Sequence, residues 1–171
     1  EDTTSKQQFS DLLTALNKLE DTHIIFTKAN ADTDGRVINK MIDKYVLEQP
    51  ETTIAFNSLG QLRYLSAMQY VDGVVGNSSS GLLEAPSFKI GTVNIGDRQR
   101  GRVKASSIID SISTEESVAS ALKKLFSQEF SNSVKQTVSP FGNGGVAEKI
   151  VKIIDSFPLD DILKKKFYNE I

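Results

Sequence analysis

Residues Gly73–Pro86 have the sequence GVVGNSSSGLLEAP, and this stretch decides the fold of the chain. Val74 and Val75 predict a buried strand, and the small polar residues 77–80 predict a sharp turn that opens into a helix. The first N–H groups of a helix lack partners within it and carry partial positive charge, so they favour anions. The serines add hydroxyl donors, and Glu84 can accept hydrogen bonds from a diol. The stretch therefore predicts phosphate binding at the turn and ribose binding at Glu84.

The same stretch has a second interpretation, in which a serine caps a helix that carries a surface glutamate. It contains neither the G-x-G-x-x-G pattern of dinucleotide sites nor the lysine of a P-loop. The residues alone leave phosphate binding and simple capping open, and they argue against a typical NAD or ATP site.

The composition is that of an ordinary globular protein, with 171 residues, 39% of them hydrophobic and 25% charged. This length predicts a single domain over residues 1–171. A net charge of −2 argues against a nucleic-acid partner. No apolar run approaches the ~20 residues of a membrane span, and the start is not that of a signal peptide. The chain has no cysteine, so we expect a cytoplasmic protein without thiolate metal sites, and no membrane partner.

Strand-like and helix-like segments alternate along the chain, which predicts an α/β fold with a Rossmann-like parallel sheet and helices on both faces. Helical periodicity is present over residues 4–20, where Thr3, Thr4 or Ser5 is the expected cap, and at five later segments. Residues 127–145 predict a loosely ordered connection, and residues 158–171 a C-terminal helical extension. The strands are expected at 23–27, 52–56, 74–75, 90–95 and 106–109, and the later helices at 37–46, 62–68, 80–86, 118–126 and 146–157.

Three polar turns follow predicted strands, at 28–36, 77–80 and 96–102. Ligands of parallel α/β sheets bind beyond the carboxyl ends of the strands, so the three turns predict one shared site. The third turn carries three arginines and two glycines, which suits pyrophosphate, although a solvated basic loop is the alternative. Arg98 directly follows its strand and is the best placed arginine, and Arg102 is second.

The first turn offers Asn30 to a base or sugar and Arg36 to a phosphate. A simpler interpretation makes it a strand–helix loop in which Asp32, Thr33 or Asp34 caps the helix, and this cap is expected in either case. The only histidine, His23, begins the first predicted strand, at the end opposite the predicted site. A Ser-His-Asp triad and a histidine zinc site are therefore not expected.

Three ordered motifs resemble those of the UDP-N-acetylglucosamine 2-epimerase family, and the resemblance covers nearly the whole chain. The similarity is greatest to the hydrolysing, sialic-acid-pathway branch of bacteria. It implies the C-terminal lobe of a glycosyltransferase-B-type fold, the lobe that binds UDP. The motifs are residues 26–36, 76–86 and 94–102.

The resemblance also implies a role for each matching position. The serines would hold phosphate, Glu84 the ribose hydroxyls and Arg98 the diphosphate, while Leu59 would lie near the uracil. Asn30 and Arg36 would face the nucleotide sugar from the first turn. The full set of expected substrate-binding residues is Asn30, Arg36, Leu59, Ser78, Ser79, Glu84, Arg98 and Arg102.

The family's His-Pro and the acidic residues of its N-terminal lobe are missing from this chain. We therefore expect no catalytic residue in this fragment, no cofactor, no metal, and no activity of the chain by itself. The expected partners are UDP-N-acetylglucosamine or UDP, the missing N-terminal lobe and a second copy in a homodimer. Two alternatives are the donor lobe of a glycosyltransferase and a non-catalytic nucleotide-sugar sensor.

Overall fold

A computed structural model describes residues 4–30, 33–142 and 144–160. The described chain divides into two compact units, residues 1–141 and residues 142–171. The first unit alternates strands and helices, as the sequence predicts. Its elements are α1 (Ser5–Leu16), β1 (Ile24–Thr27), α2 (Thr33–Glu48), β2 (Thr53–Phe56), α3 (Gly60–Ala67), β3 (Gly73–Gly76), α4 (Ser80–Leu83), a 3₁₀ turn (Ala85–Phe88), β4 (Gly91–Ile95), β5 (Ile108–Ser111), α5 (Glu115–Leu125) and α6 (Gln128–Val134).

All strand pairs that the structure describes are parallel. β1 pairs with β2, and β4 lies between β3 and β5 in a three-stranded sheet. In the second sheet Gly76 is opposite Asn94, so the turns after β3 and β4 leave the sheet at the same edge. The α/β class with parallel strands is therefore confirmed.

Helices pack on two faces and produce two hydrophobic clusters. The larger cluster joins α1, α2, α5 and α6 to β1, β4 and β5, with Phe26, Val93 and Leu122 among its buried members. The smaller cluster joins Met68, Ala85 and Ile90 and is covered by Tyr64 of α3. Helices on both faces are thus confirmed as well.

Glycines allow the helices to approach the central strands closely. A Cβ added at Gly91 would lie 2.5 Å from Cδ1 of Leu125, and one at Gly73 would lie 2.6 Å from Cδ2 of the same leucine. A Cβ at Gly81 would lie 2.6 Å from Cγ2 of Thr92, whose hydroxyl donates to the Gly81 carbonyl at 3.0 Å. α4 is therefore seated directly on β4.

Several predicted elements have different bounds in the structure. The first helix ends at Leu16 rather than residue 20, and Thr4 is its cap, accepting from the Gln7 amide. β5 begins at Ile108, because Ser106 and Ser107 form a turn before it. Thr33 and Asp34 lie inside the first turn of α2 rather than at its cap, and Asp32 lies outside the described residues.

The prediction of a loosely ordered connection over 127–145 is wrong for its first half. Ser127 caps α6 by accepting from the Phe130 amide, and Phe130 and Val134 are buried in the larger cluster. This apolar pair, four residues apart, places both side chains on one helix face. The sequence is otherwise rich in serine and asparagine, which hides the helix.

The second unit contains α7 (Val146–Ser156), as the periodicity predicts. Its apolar residues are exposed within the described chain, among them Ile150 and Ile154. The predicted extension over 158–171 lies mostly outside the described residues. None of the helices seen in the described ranges has the length and apolar character needed to cross a membrane.

Candidate nucleotide-binding site

The serine turn begins where β3 ends at Gly76. The φ of Gly76 is +144°, a backbone conformation that residues with a side chain rarely adopt, so the chain bends sharply there. The next residues are Asn77 and Ser78, both exposed, and Ser79, which is half-buried and directly precedes α4. The Ser80 amide donates to the Ser78 hydroxyl at 3.3 Å. The sharp break after a strand that the sequence predicts is thus present, but β3 is half-buried rather than buried.

The helix that follows is shorter than the sequence predicts. α4 has four residues, and Glu84 is its C-cap, at the junction with the 3₁₀ turn. Pro86 disfavours helical backbone at the residue before it, which explains the early end. Glu84 therefore does not lie within the helix, and no serine side chain caps α4. So short a helix has little macrodipole, and the turn's N–H and O–H groups are the main anion donors.

The arginine turn at 96–102 is held against the serine turn by two hydrogen bonds. Nε2 of Gln99 donates to the Asn77 carbonyl at 2.7 Å, and Nη1 of Arg98 donates to Oδ1 of Asn77 at 3.5 Å. Gly96 and Gly101 have φ of +74° and +79° and allow the turn to fold back. The structure thus brings Arg98 next to the serine turn, while Arg102 is exposed on the same turn.

A network around Asp110 anchors the far end of the arginine turn. Lys104 donates to both Asp110 oxygens at 2.7 Å, and the buried Asn94 side chain donates to Oδ1 at 2.7 Å. Burial of Asp110 opposes ionisation, but the hydrogen bonds from Lys104 and Asn94 and the lysine charge together lower its pKa. The turn is therefore held near its middle by Gln99 and just beyond its end by Lys104.

Tyr64 of α3 connects a third element to the site. Its hydroxyl hydrogen-bonds to that of Ser80, and the Glu84 carboxylate is near enough to act on it electrostatically. Burial is the main cause that raises the pKa of Tyr64, and the negative charge of Glu84 adds to it, whereas the Ser80 bond opposes it. Leu59 directly precedes α3 and is half-buried. Because the bond between Tyr64 and Ser80 ties α3 to the serine turn, Leu59 is held at the start of a helix that belongs to the site.

The first turn is organised separately. The Asn39 side chain accepts from the Ala29 amide at 2.9 Å and donates to the Ala29 carbonyl at 3.0 Å. Lys28 forms an ion pair with Asp43 at 2.5 Å. Asn30 and Arg36 are exposed, and within the described ranges no hydrogen bond or ion pair joins either of them to the other two turns. The structure thus brings together two of the three predicted turns.

Four site-organising residues were missed by the sequence interpretation. Asn39, Tyr64, Asn77 and Gln99 are polar, and their partners are 10 to 22 residues away in the chain. Asn77 and Gln99 lie inside the predicted motifs, so their position was a usable signal. Among the described residues no group of three or more His, Asp or Glu side chains is arranged to hold a metal.

The parallel strands and the helices on both faces define a Rossmann-like α/β class of domain, in which ligands bind at the strand ends where the polar turns lie. The model of the UDP-N-acetylglucosamine 2-epimerase family matches residues 1–155 of this sequence. The chain belongs to that family.

Curated relatives agree with the family match. The GDP/UDP-N,N'-diacetylbacillosamine 2-epimerase (hydrolyzing) of Campylobacter jejuni is 39% identical over 95% of this chain and 42% of its own length. The polysialic acid biosynthesis protein P7 of Escherichia coli is 34% identical over 88% of this chain and 38% of its own length. The chain thus spans about two-fifths of the length of these relatives.

Solved structures share the fold at low sequence identity. A UDP-N-acetylglucosamine 2-epimerase of Methanocaldococcus jannaschii, solved with UDP-GlcNAc and UDP, matches 88% of this chain and 41% of its own with a TM-score of 0.68 at 17% identity. A protein of Listeria monocytogenes described as a UDP-N-acetylglucosamine 2-epimerase matches 99% of this chain and 44% of its own with a TM-score of 0.69 at 15% identity.

Proposed function

We propose that this chain is the UDP-binding, C-terminal lobe of a hydrolysing 2-epimerase that acts on UDP-N-acetylglucosamine or a closely related UDP sugar. One observation carries the proposal. Gln99 and Arg98 hold the arginine turn against the serine turn, so a guanidinium and serine hydroxyls share one edge of the sheet, and Glu84 follows the serines at the end of α4. Donors for a diphosphate and an acceptor for a ribose are what a nucleotide requires.

In this proposal each element of the site has a part. Ser78, Ser79 and Arg98 hold the diphosphate, with Arg102 beside them on the same turn. Glu84 accepts hydrogen bonds from the ribose hydroxyls. Leu59 lies next to the uracil, because its helix is tied to the serine turn through Tyr64. Asn30 faces the nucleotide sugar from the first turn, and Arg36 faces it from the start of α2.

The reaction proposed for the complete enzyme has two steps. Elimination removes the proton from C2 of the sugar and breaks the C1–O bond to UDP, which leaves a 2-acetamidoglucal. Water then adds across the double bond, with the new C2–H bond on the opposite face, and yields N-acetylmannosamine. This chain stabilises the negative charge that develops on the departing diphosphate. The base that takes the C2 proton belongs to the missing lobe.

The family match supports an epimerase rather than the donor lobe of a glycosyltransferase. The Campylobacter jejuni relative is named for GDP or UDP linked to diacetylbacillosamine, whereas the two solved structures are named for UDP-N-acetylglucosamine, so UDP recurs while the sugar differs. Product analysis of a chain extended to the length of its relatives separates the alternatives. Free N-acetylmannosamine plus UDP supports the proposal, and transfer of the sugar to an acceptor supports a glycosyltransferase. No turnover even with the second lobe supports a sensor. Turnover of UDP-N-acetylglucosamine by the 171-residue chain alone would contradict the proposal.

Calorimetric titration with UDP tests the two charged contacts. Because hydrogen bonds to charged groups are worth roughly 1.5–3 kcal/mol, we expect Glu84→Ala and Arg98→Ala each to weaken binding roughly 10- to 150-fold. Arg100→Ala is the matched control, since it removes an arginine of the same turn that has no assigned contact. Equal affinities for the wild type and Glu84→Ala would remove Glu84 from the site.

A further inference from the structure

We infer that Gln99 is a positioning residue for the diphosphate, an inference that rests on the proposed function. Gln99 lies in the arginine turn between two exposed arginines, yet it is only 2% exposed itself. Glutamine is rarely buried so fully, because its amide must then find partners inside the protein. The burial of this one side chain in a basic turn therefore calls for an explanation.

The amide of Gln99 has one role that the structure shows. Its Nε2 donates to the Asn77 carbonyl at 2.7 Å, across 22 residues of sequence. Because a carbonyl only accepts, the group that faces it is the amide nitrogen. Oε1 has no hydrogen-bond partner among the described residues. An unpaired buried acceptor lowers stability, so stability alone does not account for a glutamine at this position.

The bond to Asn77 fixes the distance between the two anion-binding turns. Asn77 directly precedes the serines, and Arg98 directly precedes Gln99, so the bond holds both donor groups at one spacing. The second connection, from Arg98 to Oδ1 of Asn77, is 3.5 Å long and therefore weak. Arg98 can exchange Asn77 for a phosphate oxygen while Gln99 keeps the turns together. The site is thus preorganised by a neutral residue, which leaves the charged residue available for the ligand.

Gln99→Met tests this role, because methionine keeps the length of the side chain and removes its amide. Gln69→Met is the matched control, since Gln69 is exposed and outside the site. Affinities for UDP and for uridine are measured by amide shift titration, together with the melting temperature. Because one positioning hydrogen bond is lost, we expect Gln99→Met to weaken UDP binding about 5- to 10-fold. Uridine, which has no phosphate, is expected to bind the variant and the wild type within about twofold.

A second variant keeps the test decisive if Gln99→Met does not fold. Burial raises the pKa of a carboxyl, so in Gln99→Glu the introduced group at low pH keeps a proton that it can donate to the Asn77 carbonyl. At high pH it is a carboxylate and cannot donate. The charges of Arg98 and Arg100 act in the opposite direction to burial, but both side chains are exposed and are screened by solvent. We expect the wild-type to variant ratio of UDP affinities to be nearer to one at about pH 5 than at about pH 8. Protonation of UDP itself cancels in this ratio, and Gln69→Glu controls for the added charge.

Three results would overturn the role of Gln99 while leaving UDP binding intact. They are an unchanged UDP affinity in Gln99→Met, an equal loss of uridine and UDP affinity, or a ratio for Gln99→Glu that does not vary with pH. Failure of the folded wild-type chain to bind UDP would instead overturn the proposed function, and the inference with it.

Discussion

The part of the first unit built on β3, β4 and β5 is buried more completely than the part built on β1 and β2. In β4, residues 91–94 are all buried, whereas Ile25 of β1 and Ile54 of β2 are each 48% exposed. The same division holds for the turns that follow the strands. Those after β3 and β4 are hydrogen-bonded to each other, while the turn after β1 is held by Asn39 of its own helix. The difference shows that the two turns of the proposed diphosphate site are joined by hydrogen bonds of the chain itself, whereas the first turn is not joined to them within the described ranges.

The largest expected effect comes from breaking the packing under the buried strands. Gly91→Val places methyl groups where even a Cβ would lie 2.5 Å from Leu125 and 2.9 Å from Phe130, both of them buried. We expect this overpacking to lower the free energy of unfolding by about 3 kcal/mol. Ile54→Ala, in the more exposed half, is expected to lower it by about 1 kcal/mol because its side chain is half in solvent. Denaturant titration measures the free energy of unfolding of both variants. A greater loss of stability for Ile54→Ala than for Gly91→Val would contradict the prediction.

The next effect distinguishes the two kinds of turn. Arg98→Ala removes a guanidinium that is already next to the serine turn, whereas Arg36→Ala removes one that has no described contact with it. We expect the loss of UDP affinity in the isolated chain to be at least about fivefold larger for Arg98→Ala than for Arg36→Ala. The reason is that Arg98 is already positioned for a phosphate, whereas Arg36 would first have to be ordered. The two variants carry the same charge change and control for each other. Equal losses would mean that the first turn also closes in the isolated chain.

The smallest effect concerns the anchor at the end of the arginine turn. The pKa of Asp110 is lower in the folded than in the unfolded chain, so above pH 4 or so its ion pair with Lys104 stabilises fully. That stability is lost as the pH falls through the folded value, where the carboxylate becomes protonated. Asp110→Asn is expected to cost about 0.2–1 kcal/mol at pH 7, because the pair is partly exposed.

Stability measured against pH checks the role of Asp110. We expect the curves of the wild type and Asp110→Asn to approach each other as the pH falls below the ordinary pKa of an aspartate, about 4. Parallel curves over that range would show that the carboxylate adds nothing to folding.

The sequence predicts the α/β alternation because short runs rich in β-forming residues, as in β4, alternate with segments of 3.6-residue periodicity, as in α5 and α7. It does not predict α6, because only Phe130 and Val134 of its seven residues contact the core. Pro86 is a cause of the early end of α4 that is visible in the sequence. The residue at which α4 ends also depends on its packing against Thr92, which the sequence does not show. Local pattern thus predicts elements, whereas tertiary packing sets their ends.

The residues of the candidate site also fall into two groups, those that the sequence predicts and those that only the structure reveals. The serines, Glu84 and Arg98 are visible in the sequence as donor and acceptor residues after strands. Gln99 is not, because its partner is a backbone carbonyl 22 residues away that any residue at position 77 would supply. Tyr64 is hidden for a similar reason, since its contact with Ser80 requires α3 to pack beside α4. Residues that bind a ligand can be predicted from their type, and residues that position them require the structure.

Amide shift mapping of the 171-residue chain during a titration with UDP is the most direct test of the central claim. The account predicts that the shifts cluster at Ser78–Glu84 and around Arg98, with smaller changes at Asn30 because the first turn is not joined to the site. Shifts confined to the first turn, or no saturable shifts in a folded chain, would contradict a diphosphate site preassembled at the ends of β3 and β4.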